Sequence, residues 1–475
     1  MALTLLLGAC SLAPPLKTPD IPTANAYKEL GPWTKAQPAD RLPRDSWWTL
    51  YDNAELDELQ KKLIAGNPTL AAALANYAQA RALSDQARAG LFPTLGLSAG
   101  VARDRDSLNR PLRLPTAPAY YDSNSLGGSV SYELDLWGQI RNEVAAGAAN
   151  AAASAADLEN ARLSLIAQLV GDYIQLRSLD RYSSILDETV KDYSRAVSLT
   201  QQRHDAGIAP GLDVSQAQTQ LDATRSQAAQ TLAQRALMEH AIAALLGVSA
   251  STFSIKPEIV DIKLPQIPTG VPTALLQRRP DIAGAQRRMI AANANIGVAR
   301  AAYFPSLTLG AQAGFESQAF SNWLSAPSAF WAIGPNALLS VFDGGLRRAQ
   351  VAHARAEFDA SAANYRSIVV GAFQQVEDSL ASLNHYHDAS VEEKAAVDAA
   401  QRTLDFSKAL YVKGATDYLT VVTSQTAALQ TQLEALNLDT LQLRASVDLI
   451  RALGGGWEDS AKATNGKSMD AEQRG

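Results

Sequence analysis

Hydrophobic positions change their period along this chain, and they do so twice in the same order. Over residues 54–89 the pattern is helical, broken at Asn67-Pro68 and ended by Pro93. Asn67 suits an N-cap and Pro68 a first helical position, where the missing N–H has no intrahelical partner to lose. The period then falls to two: Leu95, Leu97, Ala99 and Val101 alternate with Thr94, Gly96, Ser98 and Gly100. A polar stretch, 103–125, reads as a distal loop. Alternation returns with Val130, Tyr132, Leu134 and Leu136 against Ser129, Ser131, Glu133 and Asp135. A second copy sets Leu307, Leu309, Ala311, Ala313 and Phe315 against Ser306, Thr308, Gly310, Gln312 and Gly314, with a less regular return around 331–342. One apolar and one small or polar face fits a half-buried strand of a soluble sheet. It fits a lipid-out, water-in barrel strand equally well.

The segments that follow the strands separate these readings. Residues 138–206 contain no proline and no loop cluster, and 346–413 match them. Each predicts a helix of roughly 68 residues, about 100 Å long. Leu165, Leu169, Tyr173, Leu176 and Leu179 recur at spacings of three and four, and alanine fills much of 145–156. That pattern predicts coiled-coil-like packing with close axes. Each long helix is followed by a glycine-bearing turn and a returning helix, about 212–246 and about 418–453, roughly 36 residues each. Stacked end to end with helices of roughly 23 residues at 69–91 and 281–303, these would run beside the long ones.

The chain is thus a duplication. Pro68 and Pro93 stand to Pro280 and Pro305 at one shared offset; Trp137-Gly138, Gly207 and Leu246-Gly247 stand to Gly344-Gly345, Gly414 and Leu453-Gly454 at another. A unit of roughly 200 residues is far longer than a solenoid repeat. The expected division is a signal remnant at 1–9, a lipid-anchored strap at 10–50, a first repeat at 51–247, a linker at 248–279, a second repeat at 280–455 and a disordered tail at 456–475. Pro93, Gly138, Pro305 and Gly344-Gly345 all mark the same end of the strands, so every helix projects from one side of the sheet. Four strands cannot span a bilayer alone, because two open edges would leave backbone groups unpaired in hydrocarbon. A closed barrel needs about eight or more, so several copies must share one barrel. Phe92, Trp137, Tyr303 and Phe304 cluster where an aromatic girdle would lie.

Composition narrows the field further. A net charge of −6 over 475 residues gives no basic stripe and argues against nucleic acid as a partner. The one cysteine, Cys10, follows Leu6-Leu7-Gly8-Ala9 and resembles a bacterial lipoprotein processing site. Ser11 after it resembles outer-membrane sorting. His204, His240, His353, His385 and His387 show no metal-ligand spacing, and Glu133 and Asp135 read as water-facing charges on one strand face. With no phosphate loop and no nucleophile elbow, neither an enzyme nor a cofactor is expected. A competing reading is a structural envelope lipoprotein, a helical spacer without a pore.

Several segments carry a resemblance to one family. They are Gln277-Arg278-Arg279-Pro280-Asp281-Ile282, Ile296-Gly297-Val298-Ala299-Arg300-Ala301-Ala302-Tyr303-Phe304-Pro305, Glu133-Leu134-Asp135-Leu136-Trp137-Gly138 and Val341-Phe342-Asp343-Gly344-Gly345. They resemble the TolC-like outer-membrane factors, in particular the NodT-like lipoprotein branch, over about residues 45–455. The resemblance implies a mainly α protein with a β-barrel part: a homotrimer sharing a twelve-strand outer-membrane barrel, continued by a periplasmic α-helical barrel. It implies the exit duct of a tripartite efflux system, served by a periplasmic adaptor and an inner-membrane pump of RND type. By the same resemblance Gly207, Ile208, Gly414 and Ala415 would contact the adaptor, and Asp213 and Tyr411 would form a periplasmic latch. Thr416 stands where one branch has an arginine, and Thr420 and Thr423 stand where aspartates are usual, so a less cation-selective constriction is expected.

Overall fold

The computed structural model describes residues 11–21, 26–29, 46–109, 111, 114, 116, 118–265, 267 and 278–455. Cys10, the tail 456–475, and parts of the strap and linker lie outside the described residues. Among the described residues eleven α and β elements follow one another: α1 (Ala54–Gly66), α2 (Pro68–Ala89), β1 (Thr94–Arg105), β2 (Tyr120–Glu133), α3 (Gln139–Asp205), α4 (Gly211–Leu245), α5 (Pro280–Ala301), β3 (Ser306–Ser317), β4 (Ala329–Leu338), α6 (Leu346–Val412) and α7 (Tyr418–Ala452). The duplication holds to the residue. Helices α2 and α5 each have 22 residues, α3 and α6 each 67, α4 and α7 each 35.

Contacts group the chain into two compact units. The first contains residues 76–155 and 284–366. It holds one antiparallel sheet in the order β1-β2-β3-β4. Its register lines up the faces: Leu97 opposes Gly128, Ala99 opposes Leu126, Leu126 opposes Phe315, Ala311 opposes Ile333 and Ala313 opposes Trp331. Ser98, Gly127, Gly314 and Phe330 oppose one another across the other face. The apolar face has no protein over it, and Leu97 is 92 % exposed.

Several strand boundaries differ from the sequence expectation. Both ends of the stretch read as a loop are ladder, with β1 running to Arg105 and β2 starting at Tyr120. Tyr121, Ser123 and Ser125 alternate with Tyr120, Asp122 and Asn124, so neither face is apolar and no period shows, yet backbone pairing continues. The second return strand stops at Leu338, short of Val341 and Phe342. In the same unit Ala146 and Ala149 of α3 pack on Ala291 and Ala294 of α5, the close approach that small side chains allow.

The second unit, which among the described residues includes 46–75, 156–265 and 367–455, holds the main core. Leu56, Leu59 and Leu63 of α1 meet Leu169, Tyr173 and Leu176 of α3, Val376 and Leu380 of α6, and Leu449 and Ile450 of α7. Trp47 and Trp48, expected in an extended strap, wind instead with Tyr51 as a short 3-10 turn and are buried there. Burying three large rings outweighs the extended preference of the preceding prolines. The returning helices abut the short ones as expected. Asn67 Nδ2 donates to Leu245 O (2.7 Å) where α4 meets α2, and Arg279 Nη1 donates to Ala452 O (3.0 Å) where α7 meets α5.

Within this core lies a charged knot. Arg177 and Asp180 are both 2 % exposed and paired at 2.8 Å, and Asp180 also binds Arg235 Nε at 2.7 Å. Arg177 donates to Glu55 and to Lys256 O, Arg235 to Ile255 O, and the Glu258 amide to Asp180, so the knot fastens the inter-repeat segment to α3. Removing one partner of a buried pair leaves the other unpaired, at a cost of about 3–5 kcal/mol. Arg177→Ala is expected to lower the thermal midpoint of the detergent-solubilised protein by several degrees. Arg177→Met with Asp180→Leu should recover part of the loss. Calorimetry on the three proteins checks this.

Candidate functional site: channel wall, helical tip and strap cradle

At the end where strands become helices, aromatic rings and ion pairs fix the junctions. Trp137 donates from Nε1 to Pro305 O at 2.8 Å and stacks on Phe304 with ring centroids 4.6 Å apart. In the other repeat Arg347 lies over Tyr303 at 5.4 Å. Asp135 corrects an expectation. β2 ends at Glu133, and the Asp135 carboxylate turns to the start of α3, accepting from the amides of Ile140 (3.2 Å) and Arg141 (2.9 Å) and from Arg141 Nε (3.0 Å). A carboxylate at a helix N-terminus satisfies amides that have no intrahelical partner. Asp343 does the same for α6, accepting from the Gly345 amide at 2.9 Å and from Arg347. The Arg347 guanidinium, then the Gly345 amide, holds the Asp343 carboxyl below the usual range. The signal was present in sequence as an aspartate a few residues before Gly-x-x-Arg or Gly-x-Arg, but strand alternation masked it.

At the other ends of the long helices, both turns are glycine-terminated. Gly207 has φ +70° and Gly414 φ +75°, a region that costs other residues strain. Ile208 N donates to Arg203 O and Gly207 N to His204 O, while Ala415 N donates to Leu410 O and Gly414 N to Tyr411 O. This is the six-to-one and five-to-two closure of a Schellman motif, in both copies. It leaves Gly207, Ile208, Gly414 and Ala415 exposed at the tips, with Ile208 at 66 %.

Behind the turns, Tyr411 Oη donates to Asp213 Oδ2 at 3.2 Å, joining α6 to α4. The Tyr411 ring is buried against Tyr418, with Ala217 and Val421 beside it. Burial, then the Asp213 carboxylate, raises the Tyr411 phenol above its ordinary value. Arg203 lies over the same ring at 4.8 Å and donates to Val412 O at 3.4 Å. The sequence reading did not single out Arg203; its signal is only its place four residues before the tip glycine. Thr416 is half-buried in the turn. Thr420 gives its amide (3.0 Å) and hydroxyl (2.6 Å) to Asp417, the N-cap of α7, and these bonds hold the Asp417 carboxyl low. Thr423 is turned onto its own helix, donating to Leu419 O at 2.9 Å.

A third site joins the strap to the sheet-bearing unit. Ser11 Oγ donates to Asn142 Oδ1 (2.8 Å), Asn293 Nδ2 to Pro14 O (2.9 Å) and Arg300 Nη1 to Leu12 O (3.1 Å). Gly297 lies beneath this segment, and a Cβ there would come within 2.8 Å of Ala13 N and 2.5 Å of Asn142 Nδ2. Among the described residues no group of histidines, cysteines and carboxylates could hold a metal, and no helix is long and apolar enough to cross a membrane.

Known proteins share this architecture. The family model described as outer membrane efflux protein matches residues 59–248 and 271–455. The chain is 30% identical over 463 residues to the probable efflux pump outer membrane protein TtgC of Pseudomonas putida, covering 97% of this chain and 95% of that one. Outer membrane protein OprJ of Pseudomonas aeruginosa is likewise 30% identical over 467 residues, covering 97% and 95%. The solved outer-membrane channel OprN superposes with a TM-score of 0.87 at 29% identity, over 95% of this chain and all of that chain. The Campylobacter jejuni CmeC outer membrane channel gives 0.90 at 25% identity, over 97% and 98%. A duplicated helix–strand–strand–helix chain with a two-faced sheet, matched by sequence and by fold along nearly its whole length, belongs to the outer membrane efflux protein family.

Proposed function

We propose that three copies of this chain form the exit duct of a tripartite efflux pump and passively conduct small molecules such as drugs across the outer membrane. The observation that carries the reading is the sheet: one face apolar and exposed, one face small and polar, with unpaired edges at β1 and β4. Sister chains pairing at those edges remove the only unsatisfied ladders, and three sets of four strands reach twelve. The duct catalyses no reaction; an RND-type inner-membrane pump supplies the energy, and a periplasmic adaptor docks on Gly207, Ile208, Gly414 and Ala415. Cys10 carries the lipid that anchors the strap, and the Gly297 cradle holds the residues after it in place.

The tip acts as a latch. Tyr411 ties α6 to α4 through Asp213, and Arg203 takes the cationic place that Thr416 vacates. Thr420 and Thr423 bring no charge to the constriction, which makes it less cation-selective than an aspartate-lined one. Purified protein is expected to run as heat-modifiable trimers and to conduct in planar bilayers. Tyr411→Phe with Asp213→Asn should raise the resting conductance several-fold with only a small change in cation preference. Solitary, non-conducting molecules would overturn the duct. A strong cation preference abolished by Asp213→Asn would overturn the account of the threonines.

The latch has a pH signature. The folded state favours the neutral phenol, so its contribution is fully present below the ordinary tyrosine pKa of about 10 and is lost as pH rises through the higher folded value. Resting conductance is expected to stay flat from neutral pH to roughly pH 9 and to climb above about pH 10. In Tyr411→Phe the climb should be absent, and bilayer recordings across that range read it directly.

The strap cradle predicts a separable defect. Gly297→Leu should leave the trimer and its conductance intact while exposing the segment around residues 11–14. Limited proteolysis followed by mass mapping should find cleavage there in the variant at least several-fold faster than in the parent.

A further inference from the structure

The lipid-facing row of β1 does not end in apolar residues. Leu95, Leu97, Ala99 and Val101 lead along one face to Arg103 and Arg105, because side chains two apart share a face. Their partners across the ladder on β2 are Asp122 and Tyr120, which continue the row of Val130, Gly128, Leu126 and Asn124. Both arginines stand at the end of the sheet away from the helices. From Pro93 to Arg103 is ten strand steps, roughly 33 Å, or about 23–27 Å of height at a barrel tilt of 35–45°. An outward apolar band is about 25 Å tall, so Arg103 falls at its outer rim and Arg105 just beyond.

Among the described residues each arginine has one loose partner. Arg103 Nε approaches Asp122 Oδ1 at 3.9 Å with both side chains largely exposed, 75% and 56%, which is a loose pair. Arg105 lies over the Tyr120 ring at 5.4 Å. Asp104, between them in sequence, points to the opposite face. Beyond β3, which ends at the same rim, Phe320 and Trp323 meet edge to face at 5.2 Å, and Phe320 and Leu324 are exposed. Ser317, Asn322, Ser325 and Ser328 brace that loop by hydrogen bonds. Aromatic and apolar tips at the same rim as two guanidiniums suit a surface whose polar layer carries phosphate.

We propose that Arg103 and Arg105 bind the phosphates of lipid A, the phosphorylated acyl disaccharide of the outer leaflet, with Tyr120 supporting Arg105 and the Phe320–Trp323 loop resting among the acyl chains. A guanidinium fork takes a phosphate through two parallel bonds, and one phosphate relieves the repulsion between arginines on adjacent same-face positions. Asp122 opposes the ligand and tunes the site. The proposal rests on the outer-membrane duct reading, yet it fails separately: a conducting trimer with no lipid preference would sink only this inference.

Native mass spectrometry of the purified protein with bisphosphorylated lipid A tests it. Arg103→Gln with Arg105→Gln should bind at least tenfold more weakly, while the heat-modifiable oligomer persists on a gel. Lipid A stripped of its phosphates should bind the parent as weakly as bisphosphorylated lipid A binds the variant. Asp122→Asn, which keeps the ladder and removes the competing carboxylate, should bind several-fold more tightly, and it serves if the double variant does not assemble. Equal binding by parent and double variant, indifference to the phosphates, or no gain from Asp122→Asn would each overturn the site. Displacement by millimolar inorganic phosphate alone would make it a free-anion site and overturn the lipid assignment.

Discussion

Every feature of this chain answers to one constraint: a backbone N–H or C=O in hydrocarbon must find a partner within protein. Antiparallel pairing satisfies the interior of the sheet and leaves its two outer strands open. The apolar face then belongs against lipid and the small polar face against water. From there the helices follow. Because both hairpins begin and end at the same rim, four helices leave on one side, and duplication makes their lengths match residue for residue.

Duplication did not make the two halves interchangeable. The tyrosine lies three residues before the second tip glycine, where the first tip has His204; the aspartate lies six residues after the first, where the second has Thr420. The bond therefore runs one way, from Tyr411 to Asp213. The reciprocal residues have turned to their own helix ends, His204 to Ala209 O at 3.0 Å and Thr420 to Asp417. One repeat supplies the donor and the other the acceptor. Each chain thus has one tyrosine–aspartate tie, and Arg203 on α3 meets the same ring.

Much of the fold was legible because it is punctuated. Pro68 and Pro280 open helices, Pro93 and Pro305 lie just past helix ends, and Gly207 and Gly414 reverse them, so lengths could be read to within a few residues. What stayed hidden lacked contrast or depended on distant partners. Tyr120 to Ser125 form strand with no apolar face, so the ladder alone reveals them. Asp135 looked like a strand residue until α3 was present to be capped. Trp47, Trp48 and Tyr51 sit in a Pro-rich region whose local preference is extended, and only the assembled core claims them. At the tip, Tyr411 and Asp213 were reached through the family resemblance, counted from the tip glycines. Arg203 was not, since an arginine in the last turn of a helix is commonplace.

The middle of the water-facing side of the sheet is built largely from Gly96, Ser98, Gly100, Ser125, Gly127, Ser129, Gly310 and Gly314, with Tyr121, Glu133, Gln312 and Glu316 as its longer side chains. The Phe330 ring lies over Gly127 and Gly314, where an added Cβ would come within 3.6 and 3.0 Å of it. Its glycine and serine stretches give a passing solute little to adhere to. Dwell time in the barrel therefore depends weakly on cargo chemistry, and discrimination among compounds falls to whatever loads them from below.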